Sequence, residues 1–259
     1  MNLIDTHTHI YLPEFDADRD EVIERALNSG VIKLLMPNID PDSYPRMIAA
    51  ENRYPEVCIP MIGLHPTSVK KDYRSQLEKI KSFAGEHLYC AIGEIGIDLY
   101  WDKTHLSEQI LVFREQIIYA LSKNMSVVIH ARESFGELFT ILEEFRGSGL
   151  KGVFHAFTGN PEQAEKAIMM GFKLGIGGIV TFKNSGLDTI VKLAGAKNIV
   201  LETDSPYLAP YPFRGKRNES SYLCIINKKV AAILGMSEEE VASVTYSTSS
   251  ELFGLQQSL

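Results

Sequence analysis

The stretch LYCAIGEIGIDLYWDKTHLSEQILVFREQIIYALSKNMSVVIH, residues 88–130, decides the fold. It opens with a short apolar run over residues 88–93 and closes with another over 126–130. Between them lies a helix-length stretch, residues 106–123, in which Ile110, Phe113, Ile117 and Leu121 recur at steps of three and four. That is the spacing of one buried helical stripe. Strand, amphipathic helix and strand in this order make a parallel crossover, the unit of α/β proteins.

The same alternation runs outward in both directions. Further apolar runs occupy residues 2–6, 31–36, 57–64, 151–155, 172–175 and 198–201, and helix-length stretches fall at 16–29, 68–84, 133–145 and 161–170. A last amphipathic segment, 237–253, begins with Ser237 and has Glu240 three residues on, the pattern of a capping box. Eight strand-then-helix repeats in 259 residues predict an α/β protein of the (β/α)8 TIM-barrel type rather than an open doubly wound sheet. The first turn after a strand lacks a G-x-G-x-x-G phosphate loop, which disfavours a dinucleotide-binding domain. No Pro- or Ser-rich linker or shift in composition divides the chain, so residues 1–259 are expected to form one domain.

A composition of 45% hydrophobic and 23% charged residues excludes coil, collagen and disorder. The longest strongly apolar stretch, 174–182, is half the ~20 residues a bilayer requires, so no membrane partner is expected. Residues 2–6 read as a strand with no basic and apolar leader, and the three cysteines, Cys58, Cys90 and Cys224, are odd in number and far apart. A reducing cytoplasm is the expected setting. With 26 basic and 33 acidic residues the net charge is −7, which argues against coating nucleic acid through a broadly basic surface. It leaves open an enzyme whose bound cations supply local positive charge.

Barrel active sites lie at the carboxyl ends of the strands. Polar residues there form a coherent set: His7 and His9, His65, Glu94, His130, His155 and Asp204, which includes five of the seven histidines. One residue apart in an extended segment, His7 and His9 face the same side and can grip one ion. Either alone also reads as a packed histidine, as do His130 and His155; convergence from several strand ends favours metal. Glu94 sits among apolar neighbours, where burial is costly unless a cation or an arginine compensates it. Asp204, before Ser205-Pro206, also fits a turn or helix cap, but its place after the last strand favours the metal. Four histidines and two carboxylates exceed what one tetrahedral ion needs, and a shared carboxylate is the usual way to hold two ions, so a two-metal site for metal-assisted hydrolysis is expected. His87 and His105 read as surface residues, and Cys58 and Cys90 as small core residues.

The ordered blocks Asp5-Thr6-His7-Thr8-His9, Gly63-Leu64-His65-Pro66, Gly93-Glu94-Ile95-Gly96-Ile97-Asp98, His130-Ala131-Arg132, His155-Ala156-Phe157-Thr158-Gly159 and Glu202-Thr203-Asp204-Ser205-Pro206-Tyr207-Leu208, with Arg214-Gly215-Lys216-Arg217-Asn218-Glu219, resemble the TatD family of metal-dependent deoxyribonucleases. The resemblance implies an amidohydrolase-type barrel with His7, His9, Glu94 and Asp204 around one divalent ion and Glu94, His130 and His155 around a second, Glu94 being the bridge. It implies phosphodiester hydrolysis, as an exonuclease on single-stranded DNA, with Mg²⁺, Zn²⁺, Mn²⁺ or Ni²⁺ as cofactor. Tyr11 stands where such proteins usually have Asp or Asn, and Ser126 and Ser220 each replace a proline; Tyr11 and Ser220 are expected to border the mouth.

Glu94, Asp204 and His65 are the expected catalytic residues, His65 as a proton donor to the leaving oxygen or a purely electrostatic group. His65, Arg132, Arg214 and Asn218 are candidates to hold a substrate phosphate, since arginine offers a planar fork of donors. Arg214 and Arg217 read equally as a solvated charged loop. The expected partner is DNA or a small phosphodiester, with no obligate protein partner. Hydrolysis of a carboxylic ester or amide, as in aminoacyl-tRNA deacylation, is the enzymatic alternative, because the same barrel and ligands serve both. A non-catalytic scaffold would not need six intact metal donors.

Overall fold

The apolar runs form parallel strands because β-branched and aliphatic residues buried on both faces suit a sheet covered by helices. The computed structural model describes residues 1–100 and 102–255. Among these the strands are β1 (Leu3–Asp5), β2 (Val31–Met36), β3 (Cys58–Pro60), β4 (Ala91–Asp98), β5 (Ser126–Arg132), β6 (Gly152–Phe154), β7 (Phe172–Ile176) and β8 (Ile199–Leu201). Their continuous ladders are β1-β2-β3 and β4-β5-β6-β7-β8, parallel throughout.

Backbone hydrogen bonds join these two ladders at both seams. On one side Cys90 N–H donates to Pro60 O (3.1 Å) and Gly93 N–H to Ile62 O (2.9 Å); on the other Thr6 N–H donates to Leu201 O (3.1 Å) and Asp204 N–H to His7 O (2.9 Å). The strands therefore follow one another round a closed (β/α)8 barrel. The intervening helices are α1 (Arg19–Asn28), α2 (Tyr44–Arg53), α3 (Tyr73–Glu86), α4 (Leu106–Ser122), α5 (Phe135–Glu143), α6 (Pro161–Met169), α7 (Leu187–Ala194) and α8 (Leu223–Leu234), followed by α9 (Glu238–Phe253). Ser237 and Glu240 form the expected capping box at α9.

Two apolar layers hold this arrangement. One lies between strands and helices and takes in Phe113 and Ile117 of the α4 stripe. The other fills the barrel floor with Ile4, Leu35, Met61, Ala91, Val128, Val153 and Val200, sealed below by Leu252 and Phe253 at the end of α9. Ser126 at the start of β5 donates to Leu252 O, so this departure from the resembled pattern ties down the floor, far from the strand ends that carry His7 and Asp204. No described helix is long and apolar enough to cross a membrane.

Two strands differ from expectation. β3 stops at Pro60, and β4 runs on through Gly93 and Gly96 to Asp98. Glycines usually end a strand, but here they permit a close approach: a Cβ on Gly93 would lie 2.6 Å from Val128 Cβ, and one on Gly96 would meet the His130 carbonyl. The β4/β5 register shifts between Ile92 and Ile95. Glu94 therefore lies within that irregular stretch of the strand rather than after its end, and His130 likewise lies inside β5.

Candidate active site

Four of the predicted donors, His7, His9, His155 and Asp204, follow their strands, whereas Glu94 and His130 project from within β4 and β5. His7 and His9 follow β1, and their Nε2 atoms stand 3.2 Å apart. Asp204 after β8 (φ 57°) and Ala156 just after His155 and β6 (φ 42°) both take the left-handed conformation uncommon for residues other than glycine. His7 Nε2 lies 3.2 Å from Glu94 Oε2 and 3.6 Å from Asp204 Oδ1; His9 Nε2 lies 3.8 and 3.6 Å from the same atoms. Ligands at ~2.1 Å from a tetrahedral ion are about 3.4 Å apart. His7 and His9 stand near that spacing from each other and from both carboxylates, with His7, His9 and Glu94 forming one compact donor group and His7, His155 and Asp204 another.

The other oxygen of Glu94 faces a second group. Oε1 lies 2.7 Å from His130 Nδ1, 2.7 Å from His155 Nε2 and 3.1 Å from His65 Nε2, with His130 Nδ1 and His155 Nε2 3.3 Å apart. One buried carboxylate thus divides its oxygens between two donor sets.

Hydrogen bonds behind the rings settle which nitrogens are free. Tyr11 donates its hydroxyl proton to Pro37 O (2.6 Å), leaving its oxygen to accept from His9 Nδ1 at 3.0 Å, so the His9 Nε2 lone pair points inward. Asp98 Oδ2, 2.9 Å from His130 Nε2, accepts that proton, so Nδ1, 2.7 Å from Glu94 Oε1, is the nitrogen that would offer its lone pair to an ion. His65 is arranged the other way. Thr67 N–H donates to its Nδ1 (3.1 Å), so its proton sits on Nε2 and is directed at Glu94. His155 Nδ1 looks toward Glu202 Oε1 at 3.6 Å, and Glu202 is held in place by Ala156 N–H.

The electrostatics suit cations. Burial would raise the pKa of Glu94, but the surrounding imidazoles, His155 foremost, more than offset it and hold the carboxyl well below its usual range. Asp204 is likewise held down, against burial, by the neighbouring imidazoles, His9 foremost. Burial, with His155 nearby, lowers His7, and burial lowers His65, which favours neutral rings. For His155, burial is outweighed by Glu94 and Glu202, so its pKa is well raised. Two ionised carboxylates beside imidazole nitrogens that can give up a proton to make room for an ion form a donor set that fits divalent ions.

Above these groups opens a cavity of about 700 Å³. Its lining includes His65 and Arg132, with Ile39, Ile179, Tyr207 and Leu208 as apolar walls. The Arg132 guanidinium stacks 3.9 Å from the centre of the Tyr100 ring. Arg214 stands outside this lining with its guanidinium 4.7 Å from the Phe182 ring, and Arg217 forks onto Asp18 at 2.6 and 2.8 Å. Asn218 is fully buried and donates to Thr203 O (2.8 Å) and Tyr207 O (2.7 Å). With its amide hydrogens spent on the Asp204 loop, it positions that loop and has no donor left for a phosphate.

Other expectations also need correction. Tyr11 and Ser220 are fully buried and do not border the mouth. His87, paired with Glu51 at 2.7 Å, and His105 are half-buried rather than on the surface, and both lie outside the donor cluster. Cys58 is a core residue whose thiol burial pushes up to about 12, far from a thiolate ligand. The partners Asp98, Glu202 and Tyr11 were not singled out as site residues by sequence; the available signal was that two of them are acids on the same strand or turn as a donor.

The description "TatD related DNase" matches residues 4–254. The chain belongs to that family. It is 36% identical over 252 residues, covering 97% of this chain and 98% of the relative, to the "Uncharacterized metal-dependent hydrolase YabD" of Bacillus subtilis. It is 28% identical to the "3'-5' ssDNA/RNA exonuclease TatD" of Erwinia amylovora, with 98% of this chain and 100% of the relative covered. The crystal structure of YjjV, a TatD homologue from Escherichia coli, superposes with a TM-score of 0.91 at 26% identity, covering 98% of both chains. This TatD-family protein is thus a metal-dependent hydrolase with the amidohydrolase-type barrel.

Proposed function

We propose that this protein hydrolyses phosphodiester bonds at the ends of single-stranded nucleic acid, using two divalent ions that share Glu94. The observation that carries this reading is the division of the Glu94 oxygens, one toward His7 and His9 and the other toward His130 and His155. His7, His9, Glu94 and Asp204 would hold one ion, and Glu94, His130 and His155 the other. Bound in this way, such ions acidify a water and neutralise phosphoryl oxygens. Imidazole-rich sets suit Zn²⁺, Mn²⁺ or Ni²⁺ better than strongly hydrated Mg²⁺.

The chain's own groups do the rest. Asp204, in the cavity lining, would take the proton of the attacking water. His65, whose Nε2 proton lies on Glu94 in this structure, would offer it to the leaving oxygen once ions engage Glu94. Arg132, stacked on Tyr100, holds a phosphate oxygen, and the half-exposed ring of Tyr207 offers a face for a terminal base. The name of the Erwinia relative supports the same substrate class. The three free cysteines agree with a reducing cytoplasm.

The apolar walls formed by Ile39, Ile179 and Leu208, with Arg132 the one arginine in the lining, favour a second reading, hydrolysis of a carboxylic ester or amide. Strands of DNA and RNA labelled at either end, incubated with each metal or with chelator, separate the two. Metal-dependent shortening from one end is expected. Absence of cleavage under every metal, with turnover of aminoacyl esters instead, overturns the nuclease reading.

A further inference from the structure

The amino ends of the last three strands carry a second concave site, remote from the catalytic mouth. Lys151 precedes β6, Lys173 lies at the start of β7 and Lys197 precedes β8, and the three line one cavity of about 610 Å³. The opposite wall is α9, which contributes Ser243, Ser247 and Thr248. Ser243 and Ser247 are four apart and share one helix face. The amino end of such a barrel ordinarily serves stability, and scattered lysines are ordinarily solvated. Neither explains this cluster. Among the described residues neither Lys151 nor Lys197 has a carboxylate within 4.0 Å, so neither forms a stabilising pair. Among the described residues of the lining three lysines stand against one acid, Glu251, in a chain whose net charge is −7.

Lys173 is already oriented. Its ammonium donates to Lys197 O (2.9 Å) and Asn198 Oδ1 (3.3 Å), which fixes the side chain and leaves a third proton for a ligand. Ammonium point charges in one cavity with serine and threonine hydroxyls are donors of the kind that phosphate oxygens accept from. The volume lies within the range of small-molecule sites, about 300–1,000 Å³, and a concave pocket does not suit a flat membrane surface. We infer that this cavity binds a phosphate-bearing small molecule through Lys151, Lys173, Lys197 and the hydroxyl face of α9. The inference is independent of the reaction at the strand carboxyl ends.

Calorimetric titration of the metal-loaded protein with inorganic phosphate, and separately with adenosine 5′-monophosphate, tests it. Because phosphate can also enter the catalytic cavity, the same titrations are run on Glu94→Gln, on the double variant Lys151→Ala/Lys197→Ala and on Ser247→Asp. The expected result is a saturable event that persists in Glu94→Gln and weakens at least tenfold in both the lysine variant and Ser247→Asp, while metal-dependent hydrolysis by the lysine variant stays within twofold of wild type. Equal affinity for both probes would mean that phosphate alone is read; tighter binding of the nucleotide would mean that the nucleoside is read too. No saturable event in wild type, or one lost in Glu94→Gln and unchanged in the lysine variant, overturns the inference.

Discussion

His130 Nε2 lies 2.9 Å from Asp98 Oδ2, four residues along β4 from Glu94. This contact decides which nitrogen of His130 offers a lone pair to the cavity. Asp98→Asn supplies an amide that can donate where the carboxylate accepted, which favours the wrong tautomer. A loss of about 10–100-fold in metal affinity is expected, measured by competition with a chromogenic chelator, with metal-free stability little changed. Unchanged affinity would show that Asp98 does not set the tautomer.

Tyr11→Phe removes the hydroxyl that joins His9 to Pro37 in a fully buried setting. The His9 N–H and the Pro37 carbonyl each lose a partner, at a cost of about 1–3 kcal/mol. Urea denaturation of the metal-free protein should show a lower midpoint with an unchanged slope. A wild-type midpoint would mean that another group replaces the hydroxyl.

Gly175→Ala is expected to act through Glu202. A Cβ at position 175 would collide with the Glu202 carboxylate, which accepts from Ala156 N–H and faces His155. Overpacking of this kind costs about 1–3 kcal/mol. A thermal melt should fall by several degrees, and metal affinity should weaken as His155 shifts. A variant with wild-type melting temperature and affinity would show that the carboxylate moves aside freely.

The barrel and its donor set were legible because both rest on local patterns. Apolar runs alternate with a helical stripe, and His7, His9, His130, His155 and Asp204 stand at or near run ends. The rest depended on distant pairing. The apolar run ends at Gly93 in sequence, yet Gly93 and Gly96 let β4 pass close to Val128 and His130. The inward stripe of α4 also includes Gln109 and Gln116, which resemble surface residues in sequence. Their amides bond the backbone N–H and C=O of Asp98 and Leu64, so each is buried with its polar groups satisfied. Asn218 read as a phosphate ligand for the same reason: its donors are polar in sequence and spent on backbone only in the fold.

Tyr207 is half-exposed at the cavity wall, its ring 6.2 Å from that of His9. Stacking of one base on an aromatic ring is worth about 1–3 kcal/mol. Tyr207→Ala should therefore raise KM for a single-stranded oligonucleotide about tenfold, leaving metal content unchanged. Steady-state kinetics showing a fall in kcat with constant KM would assign the ring a different role.

Removal of the ions should expose how far the buried acids depend on them. Dialysis against chelator is expected to abolish hydrolysis and lower the melting temperature, because ions that bind only the folded state stabilise it by mass action. Readdition of Zn²⁺ or Mn²⁺ should restore both. A melting temperature insensitive to chelator would mean that protons on His130 and His155 compensate Glu94 fully.

The most direct test of the shared carboxylate is elemental analysis of the purified wild type beside Glu94→Gln. Two equivalents of divalent metal per chain in the wild type, and loss of both in the variant, are expected. One equivalent in the wild type, or a variant that keeps a full pair, would contradict the bridge.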